Sequence, residues 1–481
     1  MTSRYRVEYS LKTHRRDYFI EWIKALLAVP FVLHGDAISY DNDENESDDY
    51  SETLSQKQNE TAQNCRKRYL EVFDDVERLI DNTILLDKLN DEDPAKHLVS
   101  RLRKLVPSVG RFFTPLPLKA AYLLEDDRRG ISKRRLVAPS FNDIRIILNS
   151  AQILGLGQIY HDETAHKLKL ITFDGDVTLY EDGKCLKPTD DVVTRLIQLL
   201  KLGFFVAVVT AAGYPGQSGA QNYYQRLKGL IDAMNLKDCE LTDLQKQNLL
   251  IMGGESNYLF RFDTNLNGFR FVDGNEWYLP MMKKWDKTKI EYIMETAYQH
   301  IKHLQARFEL GEHTTIIRKE RSVGIIPNPG YKILREYLEE MVLSCSNKLA
   351  TILTEPSGKK LNVKIYSNSE DAKSAPLVKP TQDIRVCAFN GGSDVWVDIG
   401  DKSLGVEALQ RYLCSSEEYN HLCPILKSES LHVGDQFASV GANDYKARLS
   451  ATTAWIANPR ETVELLDDLI GVVTKVHLTK R

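Results

Sequence analysis

The sequence predicts an α/β protein whose parallel-sheet core is split by a large α+β insertion and preceded by a helical N-terminal region. Three observations lead there. HKLKLITFDGDVTLYEDG at 166–183 is an apolar strand entering a Gly- and Asp-rich turn, 189–202 reads as a helix, and FFVAVVT at 204–210 as a second buried strand. The next such sheet segments come after about 180 residues: VWVDIG at 395–400, a helix through 414, a strand ending at Val433, TAWIA at 453–457 and a helix from about Arg460. The first part of the chain, in contrast, carries helical spacing.

That first part is read as a helical domain over 1–150. Phe19, Ile20, Trp22, Ile23, Leu26 and Leu27 fit one face of a helix over about 11–35, which Pro30 is expected to end. DNDENESDDY at 41–50 holds six acidic residues and no aliphatic one, so an exposed loop is expected over about 38–62. Leu70, Phe73, Val76, Leu79 and Ile80 resume a helix over 65–88, and more amphipathic material follows over 95–127, broken by Pro107, Pro115 and Pro117. The core is placed at 151–212 and 393–481. The insertion, 213–392, is too long for a loop and is read as a module over the ligand-binding edge of the sheet, with helix 289–308, strand candidates GFRFVD and SVGIIP, and a polar loop at 367–380.

Composition narrows the function classes. At about 150 residues per domain, 481 residues suggest roughly three domains. Lys plus Arg is 63 against 67 for Asp plus Glu, a formal charge of -4, so nothing polybasic argues for nucleic acid or an anionic membrane as a partner. The seven cysteines are scattered without C-x-x-C spacing, which suggests a reduced compartment. With no apolar leader and no run of 18 apolar residues, a soluble cytoplasmic protein is expected.

The chemistry starts at Asp174-Gly-Asp176, directly after the strand LKLITF, because ligands of parallel sheets bind at the carboxyl ends of strands. One aspartate can attack phosphorus while a second, two residues on, protonates the leaving oxygen and later deprotonates water. A surface Asx turn is the plain alternative. Thr210 ends the second strand, where its hydroxyl and the following N–H groups suit phosphate oxygens, and Lys402 stands where a strand gives way to a helix and can neutralise phosphate charge. Taken alone, these are a strand-ending threonine and a solvated lysine. Asp435, Asn443 and Asp444 follow glycine-bearing turns in LHVGDQFASVGANDYKAR. Carboxylates of Asp174 and Asp435 with the backbone carbonyl of Asp176 suit Mg²⁺, and Asp444 can orient Lys402. Gly253-Gly254-Glu255-Ser256-Asn257 lacks a P-loop lysine and reads as a turn, while His161, His166 and His432 show no metal-binding spacing.

Asp174, Thr210, Lys402 and Asp435 with Asp444 occur in the order of the four motifs of the haloacid-dehalogenase-like (HAD) phosphohydrolases, which the chain resembles over about 168–212 and 393–470. The resemblance implies a HAD-like Rossmannoid core with a cap between the second and third motifs. It also implies Asp174 as nucleophile, Asp176 as general acid and base, Thr210 and Lys402 as phosphate binders, and Asp174, Asp176 and Asp435 around the metal. Across nearly the full chain, SRYRVEYSLKTHRRDYFIEWIK, FDGDVTLY, SDVWVDIGDKSLGV and GDQFASVGANDYKAR resemble the fungal and protozoan IMP-specific 5'-nucleotidase family. That closer resemblance implies Mg-dependent hydrolysis of IMP to inosine and phosphate, a place in purine nucleotide metabolism, ATP as an allosteric activator, and a homo-oligomer, expected to be a tetramer.

Nucleoside contacts are sought near the inserted module: Trp396 and Asp398 upstream of Lys402, and Arg318 or Arg321 before SVGIIP. Trp396 also suits plain core packing. The four motifs bind phosphate without reading a base, so a broader nucleotide or sugar-phosphate phosphatase, or a phosphotransferase, is the alternative within enzymes. A non-catalytic nucleotide-binding regulator is the alternative outside them.

Overall fold

The computed structural model describes residues 17–34, 49–134, 137–163, 166–354, 384–415, 425–438 and 441–474. It divides into two compact units, one of Asp17–Ala165 with Asp467–Arg481 and one holding His166–Leu466.

The smaller unit is helical: Tyr18–His34, Asp49–Glu92, Arg101–Leu105, Leu118–Arg129 and Phe141–His161. Tyr69, Phe73, Val76 and Ile80 recur at helical spacing and are buried, and Phe73 stacks on Tyr122 at 5.1 Å between ring centroids. Ser140 and Asp143 form a reciprocal capping box that starts the helix Phe141–His161. Three boundaries differ from the sequence reading. The first helix runs through Pro30 to His34, since a proline removes one backbone bond and disfavours, without forbidding, a further turn. The second starts at Asp49, so the loop expected to about residue 62 is helical from 49 onward; the rest of the acidic stretch, like 367–380, lies outside the described residues. Phe141–His161 is continuous across residue 150.

The larger unit contains β1 (Leu170–Phe173), β2 (Phe205–Val209), β3 (Leu249–Gly253), β4 (Tyr258–Asp263), β5 (Gly268–Val272), β6 (Thr314–Arg318), β7 (Ser322–Pro327), β8 (Val386–Asn390), β9 (Val395–Ile399), β10 (Ser430–Gly434) and β11 (Thr452–Trp455). Seven of these form one sheet in the order β11-β10-β1-β2-β3-β4-β5, parallel from β11 to β3 and closed by an antiparallel hairpin. Its inner strands are buried at every residue, as their unbroken apolar runs require. The helix Asp191–Lys201 crosses from β1 to β2, burying Val192, Val193, Leu196, Leu199 and Leu200.

The other four strands form an antiparallel sheet in the order β6-β7-β9-β8. Helices Lys287–Arg307 and Arg335–Thr354 pack on it through Ile293, Ala297, Met341 and Cys345. VWVDI, expected as a strand of the parallel core, is therefore an inner strand of this second sheet, with Val397 opposite Val323 and Trp396 opposite Gly324. GFRFV, expected in the insertion, pairs instead at the edge of the core sheet. A short apolar run reports burial and leaves its partner open, which is why both were misplaced. Cys65, Cys185, Cys239, Cys345 and Cys387 are free thiols, whereas Cys414 is disulfide-bonded, contrary to the reduced state expected throughout.

Candidate active site

Three neighbouring parallel strands, β10, β1 and β2, deliver Asp435, Asp174 and Thr210 at or just beyond their carboxyl ends. The Asp174 N–H donates to Val433 O at 2.9 Å, which ties the first turn residue to the neighbouring strand. Lys402 opens the helix Lys402–Ser415, whose first turn is held by Asp401: its carboxylate accepts from Leu404 N at 3.0 Å and from the Ser403 hydroxyl.

Lys402 is fully buried, and its Nζ lies 2.8 Å from Asp174 Oδ1 and 2.6 Å from Asp444 Oδ1. Asp444 is committed on both oxygens: Oδ1 also meets His432 Nε2 at 2.9 Å, and Oδ2 accepts from Gln436 N at 2.9 Å. Because a carboxylate only accepts, Nε2 carries the histidine proton. Nδ1 then faces Thr172 Oγ1 at 2.8 Å. Gly434 permits the approach, since a Cβ there would lie 2.4 Å from the Asp444 carboxyl. The Lys402 ammonium holds Asp444 far below the usual carboxylate range despite burial. Burial and the Asp444 charge push Asp174 up to about 7 against the attraction of Lys402. Asp435 is pushed up to about 9 by burial and then by repulsion from Asp174 and Asp444.

The donor set fits a divalent cation. Oxygens of Asp174, Asp435 and Asp444 lie within 4.8 Å of one another, and Asp435 Oδ1 is buried without a hydrogen-bond partner. With Asp444 taken by Lys402 and His432, Asp174 and Asp435 are the carboxylates left to bind it. The Asp176 side chain turns away from this group: its Oδ1 accepts from Gly183 N at 3.0 Å and lies 3.6 Å from Arg226 Nη1. Asp176, Thr210, Tyr180, Tyr214 and Arg226 line one small cavity. The arrangement is one for phosphate chemistry: a carboxylate at a strand end, a buried ammonium against it, a hydroxyl on the next strand and a second carboxylate at the cavity wall.

The family model for IMP-specific 5'-nucleotidase matches residues 1–466. The chain belongs to that family. It is 61% identical over 480 residues to IMP-specific 5'-nucleotidase 1 of Debaryomyces hansenii, covering 98% of this chain and 99% of the relative. It is 45% identical to the Saccharomyces cerevisiae protein of the same name, again over 98% of this chain and 99% of the other. Among solved structures, an IMP-bound mutant of Plasmodium falciparum IMP-nucleotidase superposes with a TM-score of 0.65 at 29% identity, covering 90% of this chain and 99% of that one. An ATP-bound form of the same protein gives 0.67 at 29% identity, over 99% and 90%. The resemblance read from the motifs is thus correct, and the chain is an enzyme of the 5'-nucleotidase class.

In this nucleotidase family member the remaining sequence-selected residues fall in different places. Asp398 is buried on β9, accepts from the Ser322 hydroxyl and is pushed up to about 7 by burial. Trp396 lies against Gly324, with Lys319 Nζ 5.4 Å from its ring. Arg321 Nη1 donates to Asn257 Oδ1 at 3.2 Å, whereas Arg318 pairs with Glu295 on the helix Lys287–Arg307. Asn443 Nδ2 donates to Glu255 Oε1 at 3.3 Å. Sequence reasoning sets His432 aside for want of metal-binding spacing and Glu255 aside as part of a turn, and passes over Arg226 and Lys319. No spacing motif marks them; only His432, alternating along a strand two residues before the Gly434-Asp435 turn, left a signal.

Proposed function

We propose that the chain hydrolyses inosine 5'-monophosphate to inosine and phosphate through an aspartyl-phosphate on Asp174. The observation that carries this reading is the buried Lys402 ammonium shared between Asp174 and Asp444, which holds a carboxylate at a strand end beside a fixed positive charge. Lys402 and the Gly175 N–H both engage Asp174 Oδ1, so Oδ2 is the attacking oxygen. It forms the bond to phosphorus as the phosphorus to O5' bond breaks, and Asp176 gives its proton to the departing ribose oxygen. In the second step water attacks phosphorus, Asp176 takes the water's proton, and Asp174 is released as a carboxylate. Thr210 and Lys402 bind the phosphate oxygens throughout. Asp174 and Asp435, with the backbone carbonyl of Asp176, would hold Mg²⁺, which when bound would supply neutralisation of phosphate charge.

Trp396 and Arg321 are proposed to face the nucleoside, with Asp398 fixing β9 beneath them and Arg318 left to its pair with Glu295. The ATP-bound structure of the Plasmodium falciparum relative is consistent with ATP binding, and its role as an activator is proposed from the family resemblance. A homotetramer is proposed from the resemblance, and a cytoplasmic location from the scattered cysteines and the lack of a long apolar run; among the described residues no helix is long and apolar enough to cross a membrane.

The test is phosphate release from IMP, AMP, GMP, CMP and sugar phosphates with Mg²⁺, with and without ATP, against an Asp174→Asn control. Selective IMP turnover that needs Mg²⁺ and disappears in the control supports the reading. Equal turnover of many phosphates removes the IMP specificity, and diversion of phosphate onto added inosine makes the enzyme a phosphotransferase.

A further inference from the structure

The turn Gly253–Asn257 leaves β3 at the same sheet edge that carries Asp174 and Thr210, and it is built unlike an ordinary connection. Three successive residues are left-handed, Gly254 at φ 62, Glu255 at 49 and Ser256 at 78, and the two with side chains are fully buried. Such backbone persists only where the surroundings over-determine it. Here they do. Glu255 N donates to Thr210 O at 3.3 Å, Asn257 Nδ2 donates to Ile399 O at 2.6 Å, and a Cβ on Gly400 would lie 2.2 Å from Glu255 O. The turn therefore braces both the phosphate-binding threonine and the Ile399–Lys402 segment that presents the lysine.

The Glu255 side chain has one partner and one orphan oxygen. Oε1 accepts from Asn443 Nδ2 at 3.3 Å, 188 positions away, while Oε2 is buried without a hydrogen-bond partner. Burial pushes the Glu255 carboxyl well above its usual range, against the attraction of the fully buried Lys402. Leaving one oxygen of a buried carboxyl group without a partner is costly, and closing the turn does not by itself require a side chain that reaches Asn443.

We propose that Glu255 is a positioning residue for phosphate hydrolysis, holding Asn443 and Lys402 in register between the ends of β3 and β10. It does not touch the reacting atoms; it fixes Asn443 and, through the turn, the segment that presents Lys402. This inference rests on the phosphatase reading of the site.

The experiment is a double-mutant cycle on the full-length chain, with kcat and KM for IMP measured at saturating Mg²⁺ for wild type, Glu255→Ala, Asn443→Ala and the pair. Folded protein is verified by circular dichroism at the assay temperature. The expected result is a fall in kcat of about tenfold or more for Glu255→Ala with KM within about threefold, because an interaction felt mainly in the transition state is removed. The double variant should lose markedly less than the product of the two single losses, since both act through one contact. A kcat within about twofold of wild type, or losses that simply multiply, overturns the proposal. Should Glu255→Ala not fold, Glu255→Leu, which keeps the bulk and removes the acceptor for Asn443, is read by the same thresholds. Asp174→Asn run alongside separates the two readings: an active Asp174→Asn removes the nucleophile assignment, while the Glu255 and Asn443 coupling still reports on positioning.

Discussion

Asp444 Oδ1 and Lys402 Nζ meet at 2.6 Å with both side chains wholly withdrawn from solvent, 42 positions apart in the chain. Neither charge has water to fall back on. Deleting Asp444 leaves Lys402 to Asp174 and takes the acceptor from the His432 Nε2 proton, so Asp444→Ala should lower stability by about 1–3 kcal/mol, read by urea unfolding. Asp444→Asn, which keeps the shape, should lose less stability yet still lose most activity. An alanine variant as stable as wild type would refute this.

The metal-free enzyme should weaken as pH rises. Asp174 and Asp435 start from an ordinary value of 3.8 and stand at about 7 and about 9 in the fold. The folded chain thus binds more protons than the unfolded one across that window, so their contribution is complete below about pH 4 and is lost as pH climbs through both values. Mg²⁺ needs them deprotonated, so it should raise the melting temperature more at about pH 9 than at about pH 6. A Mg²⁺-induced shift of equal size at both ends would contradict this. Asp444, held low, contributes the opposite slope only in strong acid.

Gly324→Ala tests the second sheet. A Cβ at that position would stand 2.3 Å from the Trp396 ring, so either the ring or the strand must move. Overpacking of this kind typically costs about 1–3 kcal/mol. Thermal unfolding should register that loss, and KM for IMP should rise if Trp396 faces the nucleoside; an unchanged KM with a lowered melting temperature would confine Trp396 to packing.

The two neighbouring arginines should separate cleanly. Arg321 reaches the braced turn through Asn257, so Arg321→Ala is expected to raise KM for IMP severalfold. Arg318 is engaged with Glu295 on a partly exposed face, where an ion pair is worth about 0–1 kcal/mol, and Arg318→Ala should leave kinetics and stability nearly unchanged. Equal effects from both would remove the distinction drawn here.

How far the sequence discloses all this depends on range. Asp174 is legible because an unbroken apolar strand points straight at it, and Asp435 because a glycine turn follows a second such strand. Lys402 is legible as a residue following an apolar strand, but that strand lies in the other sheet, and the lysine's neighbourhood with Asp174 is set by tertiary packing. Glu255 was illegible for the same reason, since its partner is 188 residues downstream and its unusual backbone leaves no mark in composition. Arg318 and Arg321 look equivalent in sequence, and only the positions of Glu295 and Asn257 tell them apart.

The pairing of β10 beside β1 also bears on synthesis. Thr172 and Leu431, which meet across those strands, are 259 positions apart. At roughly 5–20 residues per second a ribosome takes about 13–50 s to deliver the second after the first. For that interval the nascent chain offers one side of an apolar strand with no neighbour to cover it, an edge open to association with other chains. A chain released early, before Ser430, would carry Asp174 but neither the strand nor the acidic residues that complete its surroundings, and chaperone demand should persist until β10 has emerged.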